Sequence, residues 1–310
     1  MTSRVKIAIL GRTRSLLETA HLLVREGYQV VLVATGRPVA EDTCSVDDYR
    51  SAADGWGSEF LEKVDLLRLK VLLNQTRPDL GVSSNYPIIL PAKIVDIPSY
   101  GILNAHGGDL PRYRGNACQA WAILQGERNV ALCIHRMVGG EVDSGDIIIR
   151  QKMEITNTTK VGAILDWMSS ILPTCFLEAV KALESDPEYF LERQSRDSAN
   201  SLRCFPRRPE DGKINWNSTA VDVVRLVNAS GAPYGGAFAM FENRRLVVED
   251  ASVVDGLTPY LAVPGQVLDL LDSSIVVACG QGAVKISKAW FDDDKSSPTS
   301  QIRSVRARLT

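Results

Sequence analysis

The first 35 residues constrain the fold most, because they change from strand to helix and back to strand. Residues 5–10 form a short apolar run that ends at Gly11, which predicts a buried strand. Residues 13–26 carry apolar side chains at helical spacing, and residues 29–35 are rich in β-branched side chains. This βαβ unit predicts a Rossmann-like α/β domain with a parallel-rich sheet. The dinucleotide fingerprint G-x-G-x-x-G is absent, so NAD is not expected.

The next informative stretch covers residues 101–150. It begins with the strand-like run Gly-Ile-Leu-Asn-Ala-His, in which Asn104 and His106 are two residues apart. In an extended chain their side chains point to the same face. Polar groups at the end of a buried strand are costly unless they are paired or used, and open α/β sheets place their sites at these strand ends. A later glycine-rich turn offers Asp143 as a carboxylate partner for the histidine.

These three residue types suit acyl transfer to an amine. The Asn104 amide can stabilise the oxyanion of a tetrahedral intermediate. His106 can move a proton from the attacking amine toward the leaving nitrogen, and Asp143 can orient this histidine and raise its pKa. No serine or cysteine nucleophile is required, since the amine itself attacks.

The same residues resemble the folate-dependent formyltransferase family. The likeness rests on Asn-x-His, on Leu-Pro-Arg-Tyr-Arg-Gly at 110–115, and on Asp-Ser-Gly-Asp-Ile at 143–147. It continues in the second half of the chain, with Asp-Gly-Lys-Ile-Asn-Trp at 211–216 and Pro-Tyr-Gly-Gly-Ala at 233–237. The resemblance implies transfer of a formyl group from N10-formyltetrahydrofolate to an amine, with no metal.

The resemblance also implies where the formyl donor binds. The pterin would lie against Ile88, Ile89 and Leu90, in an apolar loop that follows a predicted strand. The other folate contacts implied are Asn116, Val138, Gly139, Gly140, Glu141 and Asp143.

The chain is predicted to have two domains. Residues 160–185 have the spacing of a core helix, and residues 186–202 are polar and serine- and arginine-rich, as in a linker. We therefore expect a catalytic domain at 1–203. Short apolar runs between glycine turns predict a small β-rich, open-barrel-like domain at 204–310.

Composition limits the binding partners and the cellular compartment expected for the protein. The net charge is -2 and the pI is about 6.0, which disfavours a broad nucleic-acid footprint. The six cysteines form no C-x-x-C pair, so neither a zinc site nor a disulfide framework is indicated. No signal peptide is recognised and no apolar run approaches the length of a membrane span, so a cytoplasmic protein without a membrane partner is expected.

The acceptor is predicted from charge and from departures in the motifs. Residues 36–57 look like a polar loop with two basic and five acidic residues, and residues 206–310 carry twelve of each. His106 is followed by Gly-Gly-Asp-Leu-Pro and Arg114 by Gly-Asn-Ala-Cys, where tRNA enzymes of the family usually have Ser-Leu-Leu-Pro and Gly-Ala-Ala-Pro. These features predict a sugar N-formyltransferase acting on a dTDP-, UDP- or GDP-linked aminosugar for cell-surface polysaccharide such as O-antigen.

Two alternatives stay open beside the sugar enzyme. One is a methionyl-tRNA formyltransferase, and the other is a folate-binding protein without turnover. If the protein is a sugar N-formyltransferase, we expect no nucleic-acid partner, and we expect a homodimer. His21 and His135 are assigned no role, because a lone histidine is more often structural.

Overall fold

The structure, a computed structural model, describes residues 4–36, 43–195, 197–256 and 258–310. The chain divides into two compact units. Unit 1 comprises Met1–Cys118, Val130–Met153 and Asp166–Phe205, and unit 2 comprises Gln119–Asn129, Glu154–Leu165 and Pro206–Thr310. The simple division at residue 203 stays a prediction.

The elements of the first 205 residues follow in chain order. They are β1 (Lys6–Gly11), α1 (Arg14–Arg25), β2 (Gln29–Ala34), α2 (Val46–Trp56), β3 (Glu59–Leu61), α3 (Leu66–Thr76), β4 (Leu80–Ser84), α4 (Ala92–Val95), β5 (Ile102–His106), β6 (Tyr113–Gly115), α5 (Cys118–Gln125), β7 (Asn129–Arg136), β8 (Ile147–Glu154), α6 (Val161–Ser185), a 3-10 turn (Ser198–Asn200) and β9 (Leu202–Cys204).

Seven strands form one mixed sheet in the order β3-β2-β1-β4-β5-β7-β8. The pairings from β3 to β5 are parallel, whereas β5 and β7 are antiparallel. The predicted parallel-rich α/β sheet is therefore confirmed. The carboxyl ends of β1, β4 and β5 lie along one edge, where open α/β sheets place their sites.

Local sequence explains how the chain turns at this edge. Gly11 ends β1 with φ of 154°, and a Cβ there would lie 2.0 Å from the carbonyl oxygen of Ser84 at the end of β4. Only glycine allows this close approach. Helix α1 then begins at Thr13, whose hydroxyl accepts a hydrogen bond from the Leu16 N–H.

The acidic segment at 36–57 is not one long loop, and that expectation is wrong. Residues 37–42 lie outside the described residues, but Val46–Trp56 forms helix α2. Ser45 and Asp48 cap the helix reciprocally, and Tyr49 and Ala53 bury one of its faces. The polar composition therefore reflects helix capping and a solvated outer face.

Elements of the remaining chain belong to the second unit. They are a 3-10 turn (Pro209–Gly212), α7 (Ala220–Ser230), β10 (Ala237–Phe241), β11 (Arg244–Val253), β12 (Val267–Leu270), β13 (Ile275–Ala278), β14 (Ala283–Phe291) and α8 (Pro298–Gln301). The five strands form one antiparallel sheet in the order β10-β11-β14-β13-β12. Helix α7 packs on this sheet through Val223 and Val227, over a core that includes Trp216 and Phe291. The predicted β-rich C-terminal part is confirmed.

Helix α6 corrects the expectation about apolar runs. It is 25 residues long with a mean hydropathy of 1.3 over its most apolar part, so length and composition alone would allow it to cross a membrane. Its buried side chains recur at helical spacing: Val161, Ile164, Met168, Leu172, Phe176, Val180 and Leu183. One such helix is weak evidence for a membrane, since the core helix of a soluble protein has the same properties.

Candidate active site

Three predicted catalytic side chains meet at the end of β5, within unit 1. The Nδ1 atom of His106 lies 3.3 Å from Oδ2 of Asp143. The Nδ2 atom of Asn104 lies 3.4 Å from the other carboxylate oxygen, Oδ1. Alternation along β5 places both side chains on the same face, and the turn before β8 brings Asp143 to them. The residues form one contiguous polar cluster.

The backbone around Asp143 is unusual. Its φ is 48°, in the left-handed region that a residue with a side chain seldom adopts. The N–H of Gly115 donates to Oδ2 at 3.0 Å. The following glycine, Gly145, could not carry a side chain, because a Cβ there would lie 1.9 Å from the carbonyl oxygen of Arg136. The orientation of the Asp143 carboxylate therefore depends on a tightly folded turn.

The protonation of His106 follows from its partners. Its Nε2 lies 2.7 Å from the carbonyl oxygen of Tyr113 in β6, and a carbonyl only accepts, so Nε2 carries a proton. Burial lowers the pKa of His106, and the charge of Asp143 opposes this shift. With Nε2 protonated, Nδ1, beside the carboxylate, is the nitrogen that can take a second proton.

The carboxylate of Asp143 stays ionised. Burial raises its pKa, but His106, His135 and the Gly115 N–H outweigh burial and hold the pKa well below its usual range. A fixed negative charge therefore faces Nδ1 of His106 at 3.3 Å.

His135, for which sequence analysis predicts no role, belongs to the same cluster. It lies on β7 directly opposite Asn104, and its Nε2 is 3.3 Å from Oδ1 of Asp143 and 3.3 Å from Nδ2 of Asn104. Its Nδ1 donates to the carbonyl oxygen of Arg136 at 2.8 Å. The register between β5 and β7 creates this contact, and no spacing within either strand signals it.

A thiol also lies beside the histidine. The Sγ atom of Cys118 is 3.7 Å from Nε2 of His106. Burial raises the pKa of this thiol far above its usual range, and the neighbouring Cys204 thiol raises it further. A thiol that stays protonated is a poor nucleophile, so Cys118 is not a candidate for nucleophilic attack.

The loops predicted to contact folate adjoin each other. Leu90 is buried, and its carbonyl oxygen accepts a hydrogen bond from the Gly140 N–H at 2.8 Å. A Cβ on Gly139 would lie 2.2 Å from the backbone of Ala92, so the two loops are in close contact. Ile88 is partly buried and packs on the core of unit 1, whereas Ile89 is 57% exposed. An exposed isoleucine above a buried apolar floor suits one face of a flat heterocycle.

The remaining predicted folate residues differ in their surroundings. Val138 is half-buried within the same turn. Glu141 is exposed, and its carboxylate accepts a 2.5 Å hydrogen bond from the Ser144 hydroxyl. Asn116 is exposed on the β6–β9 side, where its N–H donates to the carbonyl oxygen of Cys204. The folate roles of all these residues stay predictions.

The part of the chain that the structure describes contains no metal-binding geometry. No group of three or more His, Cys, Asp or Glu side chains there is arranged to hold a metal ion. The cluster of His106, His135 and Asp143 is instead an internally paired network.

Comparison with known families decides the class of protein. A family model described as formyl transferase matches residues 6–180, which is more than half of the chain. The chain belongs to the formyltransferase family. A second model, the C-terminal domain of formyl transferase, matches residues 207–305. The protein is thus an enzyme of formyl transfer, with N10-formyltetrahydrofolate as its donor, as the resemblance implied.

Relatives in sequence match nearly the whole formyltransferase chain. The methionyl-tRNA formyltransferase of Acetivibrio thermocellus is 29% identical over 94% of this chain and 93% of its own. The methionyl-tRNA formyltransferase of Citrifermentans bemidjiense is 28% identical over 95% of this chain and 91% of its own.

Solved structures share the fold at lower identity. An N-formyltransferase from Helicobacter canadensis, in complex with folinic acid and dTDP-3-aminofucose, has a TM-score of 0.68 and 14% identity over 92% of this chain and all of its own. HypX from Aquifex aeolicus, in complex with tetrahydrofolic acid, has a TM-score of 0.62 and 19% identity over 94% of this chain. The chain spans only 45% of the length of HypX.

The predicted sugar N-formyltransferase branch is wrong. Eight relatives at 24–29% identity are all methionyl-tRNA formyltransferases, whereas the sugar enzyme from Helicobacter canadensis shares the fold at 14% identity. The prediction failed because the net charge of residues 36–57 does not indicate which substrate the enzyme binds. Asp48 caps helix α2, and Arg50 pairs with Asp47 and Glu62, so these charges serve local structure. The expected absence of a nucleic-acid partner loses its basis as well.

Proposed function

We propose that this formyltransferase acts on methionyl-tRNA, transferring the formyl group of N10-formyltetrahydrofolate to the methionyl α-amine. The observation that carries the proposal is the relation to methionyl-tRNA formyltransferases over both domains, with 94% of this chain aligned to 93% of one relative. An acceptor-binding region that had diverged to another substrate class would be expected to lose similarity in the second domain.

The cluster at the end of β5 supplies the groups for this reaction. The neutral amine attacks the formyl carbon, and the C–O double bond becomes an oxyanion. An N–H of the Asn104 amide stabilises that oxyanion, which is worth about 10²–10³ in rate for a single donor. Its present partners are the polar atoms of His135 and Asp143 at 3.3–3.4 Å, which are long hydrogen bonds that a substrate oxygen can replace.

Proton transfer completes the exchange. The amine nitrogen becomes positively charged as its bond to carbon forms, and His106 accepts the proton at Nδ1. The resulting imidazolium lies 3.3 Å from the ionised Asp143, which stabilises it. The proton then passes to N10 of the folate as the carbon–N10 bond breaks, so the ring ends neutral and tetrahydrofolate leaves.

The cysteines and the relatives support a cytoplasmic compartment. All six cysteines of the chain are buried thiols outside any disulfide, which fits a reducing compartment. We therefore place the reaction in the cytoplasm, where aminoacyl-tRNA is made. The homodimer expected from sequence stays a prediction.

The deciding experiment is transfer of labelled formyl from N10-formyltetrahydrofolate. Methionyl-tRNA is the test acceptor, and the same tRNA without methionine and an N-acetylated methionyl-tRNA are matched controls that lack a free amine. Formylation of methionyl-tRNA alone, lost in His106→Gln, is the expected result.

Other outcomes would overturn the proposal. Turnover on nucleotide-linked aminosugars without turnover on methionyl-tRNA would assign a different acceptor to the same chemistry. Binding of folate with no turnover on any amine would make the protein a folate-binding member of the family.

A further inference from the structure

Gln194 lies in the segment that sequence reasoning treated as a linker, yet it is only 7% exposed. Its Nε2 donates to the carbonyl oxygens of Asp143, at 3.0 Å, and of Gly145, at 2.6 Å. Its Oε1 accepts from the guanidinium of Arg114 at 2.9 Å. Both amide hydrogens and the amide oxygen are therefore used, deep within unit 1.

The orientation of this amide is fixed by chemistry. A guanidinium only donates and a carbonyl only accepts, so the oxygen must face Arg114 and the nitrogen must face the turn. Arg114 is itself anchored, because its guanidinium also donates to the carbonyl oxygen of Ser195 at 3.0 Å. The backbone of Gln194 adds a fourth contact, from its N–H to Oδ1 of Asp146 at 3.3 Å.

The two carbonyls that Gln194 binds flank the catalytic carboxylate. Asp143 has left-handed backbone geometry, which costs free energy and persists only where the surroundings impose it. Buried carbonyls that lose a donor also carry a desolvation penalty. Without the amide, the turn would lose both constraints and Asp143 would be free to relax away from His106.

We propose that Gln194 is a positioning residue, which holds the 143–145 turn so that the Asp143 carboxylate stays in hydrogen-bond range of the His106 imidazole. Its action is indirect, through the backbone of the turn. The inference rests on the catalytic roles proposed for His106 and Asp143, but it does not depend on which amine is the acceptor.

The first test needs no acceptor. The chain has three histidines, so the ring signals of histidine-labelled protein are few enough to assign and titrate by NMR. Gln194→Met keeps the side-chain length and removes every side-chain hydrogen bond. We expect the pKa of His106 to fall in this variant, because the carboxylate that raises it moves away. Gln75→Met, at an exposed position of helix α3, is the matched control and should leave the titration unchanged.

The second test is a double-mutant cycle on turnover. A misplacement of about 1 Å can cost on the order of 100-fold in rate, so Gln194→Met should lower kcat by about that factor while KM for folate changes little. If Gln194 acts only through Asp143, adding Gln194→Met to Asp143→Asn should cost almost nothing more. Gln194→Glu, which keeps the acceptor for Arg114 but cannot donate to either carbonyl, replaces the methionine variant if that one fails to fold.

The outcomes separate this inference from the proposed function. An inactive wild type would contradict the methionyl-tRNA acceptor, and the NMR titration would still decide the role of Gln194. A pKa of His106 that stays the same or rises in the variants would overturn the inference. If the two losses of kcat multiply in the double variant, the inference is also overturned, since Gln194 would then act independently of Asp143.

Discussion

Asp143 contacts every other member of the proposed catalytic cluster. Its carboxylate contacts His106 and His135, accepts the Gly115 N–H, and lies 3.4 Å from the Asn104 amide. One charge thus contacts two imidazoles, a side-chain amide and a backbone N–H from three strands, β5, β6 and β7. Its removal should change both the rate and the titration of its neighbours.

The variant Asp143→Asn tests this at nearly constant volume. The imidazolium formed during proton transfer loses its counter-charge, so kcat/KM should fall by about 10²–10⁴. The acid limb of the pH profile should move to lower pH, because burial lowers the pKa of His106 and Asp143 is the charge that opposes it. Steady-state rates measured between pH 5 and 9, about the range in which histidine titrates, check both effects.

The control for this variant is Asp166→Asn, at an exposed position of α6. It should leave rate and profile unchanged. An acid limb that stays in place in Asp143→Asn, or moves to higher pH, would mean that His106 is not the titrating base.

The space around Gly108 is too small for a side chain, which leads to a second prediction for a single residue. A Cβ there would lie 2.5 Å from Nε2 of His106 and 2.5 Å from the carbonyl oxygen of Tyr113, so it would clash with both partners of a hydrogen bond. Gly108→Ala should therefore displace the imidazole and lower kcat by about 100-fold with folate binding retained. Gly55→Ala is the matched control, since nothing lies within 4 Å of its added methyl group. Equal activity of the two variants would contradict the geometry around His106.

At the scale of elements, the sequence predicted what is local. The βαβ opening and the shared direction of Asn104 and His106 follow from spacing along one segment, and both describe real geometry in the structure. His135 and Gln194 were missed for one reason. His135 reaches the cluster because β7 pairs with β5, and Gln194 reaches it because residue 192 pairs with residue 147. The register between such distant segments cannot be predicted from the pattern of one segment alone.

For helix α2 a local sequence signal of a helix is present, but the acidic composition led to the prediction of a loop. Ser45 followed by Asp48 is a capping-box pattern, yet the acidic composition suggested a loop. The deciding contacts are tertiary: Tyr49 is 1% exposed and its hydroxyl donates to the carbonyl oxygen of Thr13. Burial of one aromatic face, which composition does not report, stabilises the helix.

The capping box of α2 yields a prediction at this scale. Ser45→Ala removes the acceptor for the Asp48 N–H and should lower the free energy of unfolding by about 1 kcal/mol. Urea unfolding measures the change, and faster hydrogen exchange of the first α2 amides would locate it. Ser169→Ala, at an exposed mid-helix position of α6, should not destabilise, because alanine favours helix interiors. Equal effects of both substitutions would mean that the box adds nothing beyond intrinsic propensity.

At the scale of the whole molecule, charge sets how a polyanionic acceptor can be bound. The chain carries 35 basic and 37 acidic residues. Many of the cations in the described segments are already paired: Arg150 with Asp109 and Glu192, Arg244 with Asp293 and Asp294, and Lys160 with Asp250. A tRNA acceptor would therefore be recognised through a small number of phosphate contacts together with the reacting methionyl end.

This balance predicts an unusually shallow salt dependence of methionyl-tRNA binding. Each phosphate neutralised by a basic side chain releases counterions, and the slope of log K against log salt concentration grows with the number of such contacts. With net charge -2, we expect a slope no steeper than about -4 between about 50 and 200 mM KCl. Filter binding at several salt concentrations measures it, with the same tRNA lacking methionine as the control for the aminoacyl contribution. A slope near about -10 would mean an extensive basic footprint, which the paired cations of this chain do not provide.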